Sequence, residues 1–537
     1  MPPLQELLAA SVLFLAGGTL LLLVPFALHR SYLLLLSRRS PPRLATRWDR
    51  SWPRVTVQLP IYNEPAVVER LIDAACSLDY PRERLDIQVL DDSTDETVDL
   101  AARRIREWRC QGVDIRHIRR RDRSGYKAGA LAHGLGQARG EFLLILDADF
   151  LPPPDLLYQL LPPFLDPEIG MVQARWDHLN ESESLLTRAQ AYLLDGHFFF
   201  EHYGRFAGGR FFNFNGTAGM WRRRCLEDAG GWQSDTLTED LDLSYRAQMR
   251  GWRFAYLGEV GVPAELPSGV GPLEVQQRRW AQGGIQTARK LLPRLLAGPY
   301  PLRVKTEAVF HLCGHLAHPL TLVLGVLILP SAVARETLGL ERLLGLDLLV
   351  FAAATLPFLV FYGAAGRRRG RPWRSVLPTL PVVLATGIGL TASVSGAVLR
   401  GLRVGSAADP FLRTPKKGEV RSGSGGGAGV GSGLRVGSRV GHAVLKLALS
   451  AWMLGSLVVA VRMGFFGSIP FIVLFGSGWL MLGIKGIVVS SVGGEGTPGE
   501  GAPTGKAGWV PSSRTSSPGG ARKAAASVAD PEAGEVA

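Results

Sequence analysis

Apolar and polar positions divide this chain into stretches of different period. Between residue 54 and about residue 290, short apolar runs alternate with segments whose apolar residues recur at helical spacing. Val55-Thr-Val-Gln-Leu59 predicts a first strand, closed by Pro60. Ala66 to Ser77 predicts an amphipathic helix. Ile87-Gln-Val-Leu-Asp-Asp92 predicts a second strand that ends in acids. Ser93 or Thr94 is placed to cap the arginine-rich helix that runs to Trp108. Asp114 to Ile118 predicts a third strand, Lys127 to Gln137 a helix, and Phe142 to Leu146 a fourth strand. The fourth is apolar at successive positions, as expected of a strand covered on both faces of a parallel sheet. Strands alternating with helices imply right-handed βαβ units, so the fold class of this stretch is α/β.

The flanks follow another rule. Leu7 to about Leu36 is apolar for long enough to cross a hydrocarbon core. Long apolar segments recur at about 309–333, 343–363, 378–399, 443–461 and 469–488. The segment 378–399 is broken by Gly, Ser and Thr. The first segment begins Met-Pro-Pro-Leu without a basic region before it, and its positive charge follows it, as expected of a retained anchor rather than a signal peptide.

Charge then orients the pattern. The chain has 537 residues, 46% of them hydrophobic, and a formal net charge of +13. The basic residues do not form one stripe. They sit beside apolar segments: Arg38, Arg39 and Arg43, Arg367 to Arg369, Arg400 and Arg403. That is the positive-inside distribution of a multi-pass inner or plasma membrane protein, and it argues against a nucleic-acid partner. Arg38 to Arg54 places the α/β domain in the cytoplasm and the N-terminus outside. Had 378–399 crossed, the basic stretch Arg400 to Arg421 would face outward. An interfacial or re-entrant helix there leaves about five crossings. Cys76, Cys110, Cys225 and Cys313 have neither C-x-x-C spacing nor paired histidines, which argues against a zinc site or a disulfide framework and fits a reducing cytoplasm for the middle domain.

The expected organisation is therefore a membrane helix within 1–36 and a cytoplasmic catalytic domain over 37–300. Two membrane helices and an interfacial helix follow over 305–400, and a loop over 401–420. A Gly/Ser-rich linker occupies 421–441, two further membrane helices 442–490, and a disordered Gly/Pro/Ser/Ala-rich tail 491–537.

Candidate chemistry gathers at strand ends, where open α/β sheets bind ligands. Phe142-Leu-Leu-Ile-Leu-Asp-Ala-Asp-Phe150 delivers Asp147 and Asp149 to that edge. Two carboxylates so close repel unless a cation lies between them, and a hard divalent ion shared with phosphate oxygens resolves this. An isolated D-x-D also fits a solvated turn. Gln58-Leu-Pro-Ile-Tyr-Asn-Glu64 offers the Tyr62 ring for a base and the polar Asn63 and Glu64, or merely a helix cap. In Asp91-Asp92-Ser-Thr-Asp95, a carboxylate can accept from a nucleobase imide or a ribose hydroxyl, or serve a cap. Thr238-Glu239-Asp240 opens a helix, and a carboxylate there can take a proton from a sugar hydroxyl within reach. In Gln276-Gln-Arg-Arg-Trp280, Arg279 can neutralise a leaving diphosphate and Trp280 offers a face on which sugars stack. A surface amphipathic helix would account for the arginines alone.

Taken in this order, the motifs resemble those of the processive family-2 glycosyltransferases, the cellulose synthase and cellulose synthase-like group. The resemblance covers about residues 55–420. Arg123-Ser-Gly-Tyr-Lys-Ala-Gly-Ala-Leu131 looks like that group's diphosphate-contacting element, through Lys127. Phe214-Asn215-Gly-Thr-Ala-Gly looks like the segment meeting the acceptor's end. Phe411-Leu-Arg-Thr414-Pro-Lys416-Lys-Gly418 is similar to its gating loop. The wording around the motifs is closest to the mannan and glucomannan synthase-like branch, and no cyclic-dinucleotide-binding domain is recognisable after the last span.

The resemblance implies a GT-A-type (Rossmann-like) domain. Tyr62, Glu64, Asp91 and Asp92 would hold the nucleoside, Lys127 and Asp147 the diphosphate, and Asp147 and Asp149 a Mg2+ or Mn2+ ion. Asp240, with Glu239 beside it, would be the catalytic base. Asn215, Gln276, Arg279 and Trp280 would bind acceptor and diphosphate, and Phe411, Thr414 and Lys416 would belong to the lid. The implied reaction is an inverting hexosyl transfer from UDP-glucose or GDP-mannose to a growing β-linked polysaccharide, threaded across the membrane. Addition of one sugar to a membrane lipid is the alternative within the enzyme class. A transporter would need charged coupling residues mid-span. An inactive scaffold would be expected to have lost a motif acid, and none is missing.

Overall fold

The computed structural model describes residues 4–340, 344–403 and 431–492. Its α/β part contains seven strands: β1 (Val55–Ile61), β2 (Leu85–Asp91), β3 (Ile115–Arg119), β4 (Phe142–Ile145), β5 (Ile169–His178), β6 (Gly219–Arg222) and β7 (Arg253–Ala264). They form one sheet in the order β3-β2-β1-β4-β6-β5-β7. The first four strands are parallel, as the alternation predicts.

The sheet as a whole is mixed rather than parallel. β6 runs antiparallel to both β4 and β5, whereas β7 runs parallel to β5. The cause lies at the functional edge. The chain crosses the carboxyl end of β4 before turning down into β6, so that Ile145 faces Gly219 and the Ala218 amide donates to the Ile145 carbonyl at 2.9 Å. The Phe214-Asn-Gly-Thr-Ala segment is thereby held across the ends of the strands that carry the acids.

Every residue of β2 and β4 is buried, which explains the unbroken apolar run of β4. The polar residues inside β1 and β2 pair with one another across the two strands. Thr56 Oγ1 donates to Asp86 Oδ2 at 3.0 Å, and Gln58 Nε2 donates to Gln88 Oε1 at 3.0 Å. The helix expected from Ser93 or Thr94 begins at Thr97 with no side-chain cap. Ser93 is otherwise engaged: its hydroxyl accepts from the Asn63 amide at 2.9 Å and its amide donates to Asp91 Oδ1 at 2.8 Å.

Beyond the sheet, five stretches among the described residues are long and apolar enough to cross a membrane: Leu4–Leu36, Leu302–Thr337, Trp373–Leu402, Gly441–Arg462 and Phe466–Ile487. Leu302–Thr337 comprises two helices joined by a single turn at Gly314–Leu316. A further apolar helix spans Leu344–Arg368. These helices differ in what they touch. Leu4–Leu36 leaves Phe14 84% and Leu21 74% exposed, a surface that calls for lipid. Trp373–Leu402 has 72% of its most apolar window buried by its neighbours. It is one continuous helix despite Pro378 and Pro381.

The basic run at 367–371 does more than follow an apolar segment. Arg369 pairs with Asp177, and Arg371 bonds Glu181 and Asp195 at 2.7 Å each. Those three acids belong to β5 and the segments after it. The loop between two membrane-side helices is thus fastened to the α/β domain.

Candidate active site

The carboxyl ends of β1, β2 and β4, the β6 approach and two helices enclose one cavity of about 1280 Å³, its open mouth included. Tyr62, Glu64, Asp92, Lys127, Asp147, Asp149, Asn215, Glu239, Asp240, Gln276, Arg279 and Trp280 all line it. Residues from positions 62 to 280 therefore meet in a single chamber. Phe411, Thr414 and Lys416 lie outside the described residues.

Asp91 does not line the cavity. It is 1% exposed and sits behind the rim, accepting from the Ser93 amide and from His117 Nε2 at 2.8 Å each. Burial pushes its carboxyl up, but the His117 and Ser93 hydrogen bonds outweigh that and hold it below the ordinary carboxylate range. Within the D-D pair, Asp92 faces the ligand side and Asp91 secures the turn.

Asp92 is gripped by an arginine that spacing alone did not single out. Arg120 reaches it through two nitrogens, at 2.9 and 2.5 Å, and also donates to the Ser124 carbonyl at 2.8 Å. Arg123 lies over the Tyr62 ring, 3.3 Å from its centroid. One face of Tyr62 thus already carries a cation, and a base must use the other face or displace the guanidinium. Both arginines belong to the basic run Arg119 to Arg123, whose density before Ser-Gly-Tyr-Lys was the available signal.

Lys127 occupies the centre. Its ammonium donates to Asp147 Oδ1 at 2.5 Å and to the Gly216 carbonyl at 2.9 Å. Burial disfavours the charged ammonium, yet the Asp147, Glu239 and Asp240 carboxylates more than offset this and raise its pKa. The Asp147 amide donates to Thr217 Oγ1 at 2.8 Å, tying the end of β4 to the β6 approach. Gly216, at φ +81°, could not carry a side chain without strain: its Cβ would lie 3.1 Å from Asp240 Oδ2 and 3.5 Å from Lys127 Nζ.

Asp240 stands in the first turn of the helix Glu239–Met249. Its Oδ1 accepts from the Leu241 amide at 2.8 Å. Burial, then the neighbouring Glu239, push its pKa up to about 7, against the pull of Lys127, that amide and Arg279. Thr238 precedes the helix without capping it; its hydroxyl instead meets Thr287 at 3.3 Å. The partner is the helix Val270–Ala297, which carries Gln276, Arg279 and Trp280. Gln286 Oε1 accepts from the Leu237 amide at 2.9 Å, and a Cβ on Gly283 would lie within 2.8 Å of Thr238 Cγ2, Oγ1 and N. The two motifs are locked together by a helix that approaches within backbone distance.

Trp280 packs near Trp176, their centroids 6.3 Å apart, so one wall of the chamber is aromatic. Asn215 is oriented by Gln173, which accepts from its amide at 3.0 Å, and by His197, whose Nε2 lies 3.0 Å from Asn215 Nδ2. Trp176, His178 and Glu265 also line the cavity and were not legible as site residues.

Asp147 and Asp149 supply hard oxygen donors from one strand end. Among the described residues no group of three or more His, Cys, Asp and Glu could enclose a metal by itself. Such a donor set fits a divalent cation whose other ligands are diphosphate oxygens and water, not a cage built by the protein alone.

Known proteins are similar to this chain in sequence over the stretch that carries the site. Residues 53–283 match the model described as "Glycosyltransferase like family 2". A probable glucomannan 4-beta-mannosyltransferase of Oryza sativa subsp. japonica is 44% identical over 253 residues, 46% of this chain and 44% of that protein. A glucomannan 4-beta-mannosyltransferase of Cyamopsis tetragonoloba is 37% identical over 320 residues, 58% of this chain and 60% of that protein. Among solved structures, the mannosyltransferase PcManGT from Pyrobaculum calidifontis, in complex with GDP-Man and Mn2+, aligns at 22% identity. That alignment covers 74% of this chain and 99% of that one, with a TM-score of 0.46. The chain thus spans roughly half the length of the curated relatives it matches, 44% in the first case. The matched stretch holds β1 to β7, the acids at their ends and the first half of the helix that closes them, and over residues 53–283 the chain is similar to the family 2 glycosyltransferases.

Proposed function

We propose that the chain is a membrane-embedded, inverting mannosyltransferase that extends a β-linked polysaccharide from GDP-mannose. The observation that carries this is the convergence of Asp92, Asp147, Asp149, Asp240, Arg279 and Trp280 in one chamber. The mannose assignment rests on the similarity to glucomannan 4-beta-mannosyltransferases. UDP-glucose is the competing donor.

The reaction is a single in-line displacement at the anomeric carbon. Asp240 accepts the proton of the attacking acceptor hydroxyl, so an α-linked donor yields a β-linkage. Tyr62, Glu64 and Asp92 hold the nucleoside. Lys127 bonds Asp147 in the chamber that Asp240 and Arg279 also line, and its ammonium and Arg279 take up the charge on the leaving nucleoside diphosphate. Asp147 and Asp149 would hold Mg2+ or Mn2+, which when bound supplies further charge neutralisation to that diphosphate. Trp280 and Trp176 offer the apolar faces on which the acceptor's terminal sugar stacks. The apolar helices keep the domain against a membrane, into which the product passes.

The test is a donor panel with linkage analysis. Membranes carrying the full chain, fed GDP-mannose, are expected to form a 4-linked β-mannosyl polymer. Polymer formed solely from UDP-glucose would overturn the sugar assignment, and a single-sugar lipid product would overturn the polymer.

A further inference from the structure

One guanidinium in the chamber wall rests on a ring and bonds to nothing among the described residues. The basic run at the end of β3 is otherwise well anchored. Arg119 donates to the Ser93 carbonyl at 2.9 Å, and Arg120 grips Asp92 through two nitrogens. Arg123 makes no hydrogen bond and no ion pair among the described residues. Its contacts are the Tyr62 ring, 3.3 Å from Cζ to the centroid, and the Tyr126 ring at 5.0 Å. At 3.3 Å the guanidinium must lie flat on Tyr62, because a tilted one would drive a nitrogen into the ring. Nε is buried without a partner, whereas Nη1 and Nη2 keep accessible surface. Arg123 and Tyr62 both line the cavity.

The backbone beneath both side chains is fixed, so the arginine arm is the part free to move. The Arg123 carbonyl accepts from the Tyr126 amide at 3.0 Å, in a turn with Gly125 at φ +68° and Tyr126 at φ +50°. Next to Tyr62, the Asn63 amide donates to Ser93 Oγ at 2.9 Å. A lone cation–π contact is a weak tie, and a base that stacks on Tyr62 replaces it with a contact of the same kind. Arginine donates and never accepts. Guanine presents two adjacent acceptors, N7 and O6, which match a guanidinium fork. Uracil, like thymine, offers the single acceptor O4 on the corresponding edge. An unengaged arginine beside the base-stacking ring therefore discriminates between the two bases.

We propose that Arg123 is a specificity-determining residue of the nucleotide site. It leaves the face of Tyr62 when a base stacks there, and donates through Nη1 and Nη2 to O6 and N7 of guanine, so that a guanosine diphosphate is favoured over a uridine diphosphate. The proposal deepens the transferase reading and rests on it for the presence of a nucleotide.

The experiment is calorimetric titration of the purified full chain in detergent, with Mn2+ present, against GDP, UDP and 7-deaza-GDP, in which a C–H replaces N7. The wild type is expected to bind GDP at least about tenfold more tightly than either of the others, the order of one lost contact to a charged donor. Arg123→Met keeps a long side chain over Tyr62 and removes the donors. In that variant GDP affinity is expected to fall about tenfold and UDP affinity to stay within about threefold, with GDP and 7-deaza-GDP binding alike. Arg123→Gln, with one amide in place of the fork, is the second variant, and the same loss of discrimination is expected there. Equal wild-type affinity for GDP and 7-deaza-GDP, or for GDP and UDP, would overturn the proposal. So would equal loss of GDP and UDP affinity in the variants, which would put the guanidinium on the diphosphate that both nucleotides share. Absence of nucleotide binding by the wild type would overturn the transferase reading as well. A wild type that transferred no sugar, yet bound GDP through N7 and Arg123, would sink the transferase reading and leave this one standing.

Discussion

At the scale of single residues, Asp240 is the group whose environment decides most. A base must be unprotonated to act, and burial with Glu239 alongside lifts its pKa to about 7. Transfer by the full chain is therefore expected to rise with pH through about 7 and to fall about tenfold per unit well below it, measured as kcat/KM for GDP-mannose. Asp240→Asn should lower kcat by about 10²–10⁴-fold while GDP affinity stays within about threefold. Equal transfer by the two proteins would remove the base assignment. The same shift fixes a sign for stability. Between the ordinary 3.8 and about 7 the folded protein holds a proton that the unfolded chain releases, so this group's contribution to stability falls as pH rises across that window. Asp240→Asn is accordingly expected to melt above wild type at pH 8, by a few degrees at least, and the difference should vanish near pH 4. Identical melting curves at pH 8 would show that the carboxyl carries no desolvation penalty. Asp240, Asp147 and Trp280 were legible beforehand because their neighbours in sequence carry the pattern. Arg120 was not, because it gains its meaning from a partner far along the chain, Asp92.

At the scale of elements, the site depends on how closely the helix Val270–Ala297 approaches the start of Glu239–Met249. Gly283 sets that distance, since any Cβ there would meet the backbone nitrogen of Thr238 at 2.8 Å. Gly283→Val must push the two helices apart and carry Arg279 and Trp280 away from Asp240. A displacement of about 1 Å costs on the order of 10²-fold in rate. Turnover should therefore fall by at least tenfold with GDP affinity nearly unchanged, because Tyr62, Asp92 and Lys127 stand on other elements. Loss of GDP binding in that variant would mean the damage was general. The strands that carry those nucleotide-side residues were readable because they are rich in branched apolar residues, alternating with polar ones in β1 and β2 and continuous in β4. β6 was missed because it is four residues long, and β7 because glycines interrupt it and its burial is mixed. β5 passes from buried to half-exposed along its length, so neither period dominates. These three strands make the sheet mixed, and their absence from the pattern explains why a parallel sheet was expected.

At the scale of the whole molecule, the open question is which apolar helices cross, and Trp373–Leu402 is where sequence and contacts can be weighed together. Length and apolarity admit it as a span. Thirty residues of helix extend about 45 Å, more than a hydrocarbon core of about 30 Å. A crossing helix must put its ends on opposite faces of the membrane. Here both ends are attached to the catalytic side. Before its first turn, Arg371 bonds Asp195 and Glu181. At its last turn, the Gly401 and Arg403 carbonyls accept from Arg289 at 3.2 and 2.5 Å, and Arg289 lies on the helix that bears Arg279 and Trp280. A helix tethered this way is expected to run along the domain's membrane face, in agreement with the basic residues that flank it. Cys110, exposed on the α/β domain, provides an internal marker of sidedness. Arg374→Cys and Leu399→Cys, at exposed positions near the two ends, are expected to react with a membrane-impermeant maleimide from the same side as Cys110. Reaction of the Leu399→Cys thiol from the opposite side would make the helix a span and reverse the sidedness of everything after it.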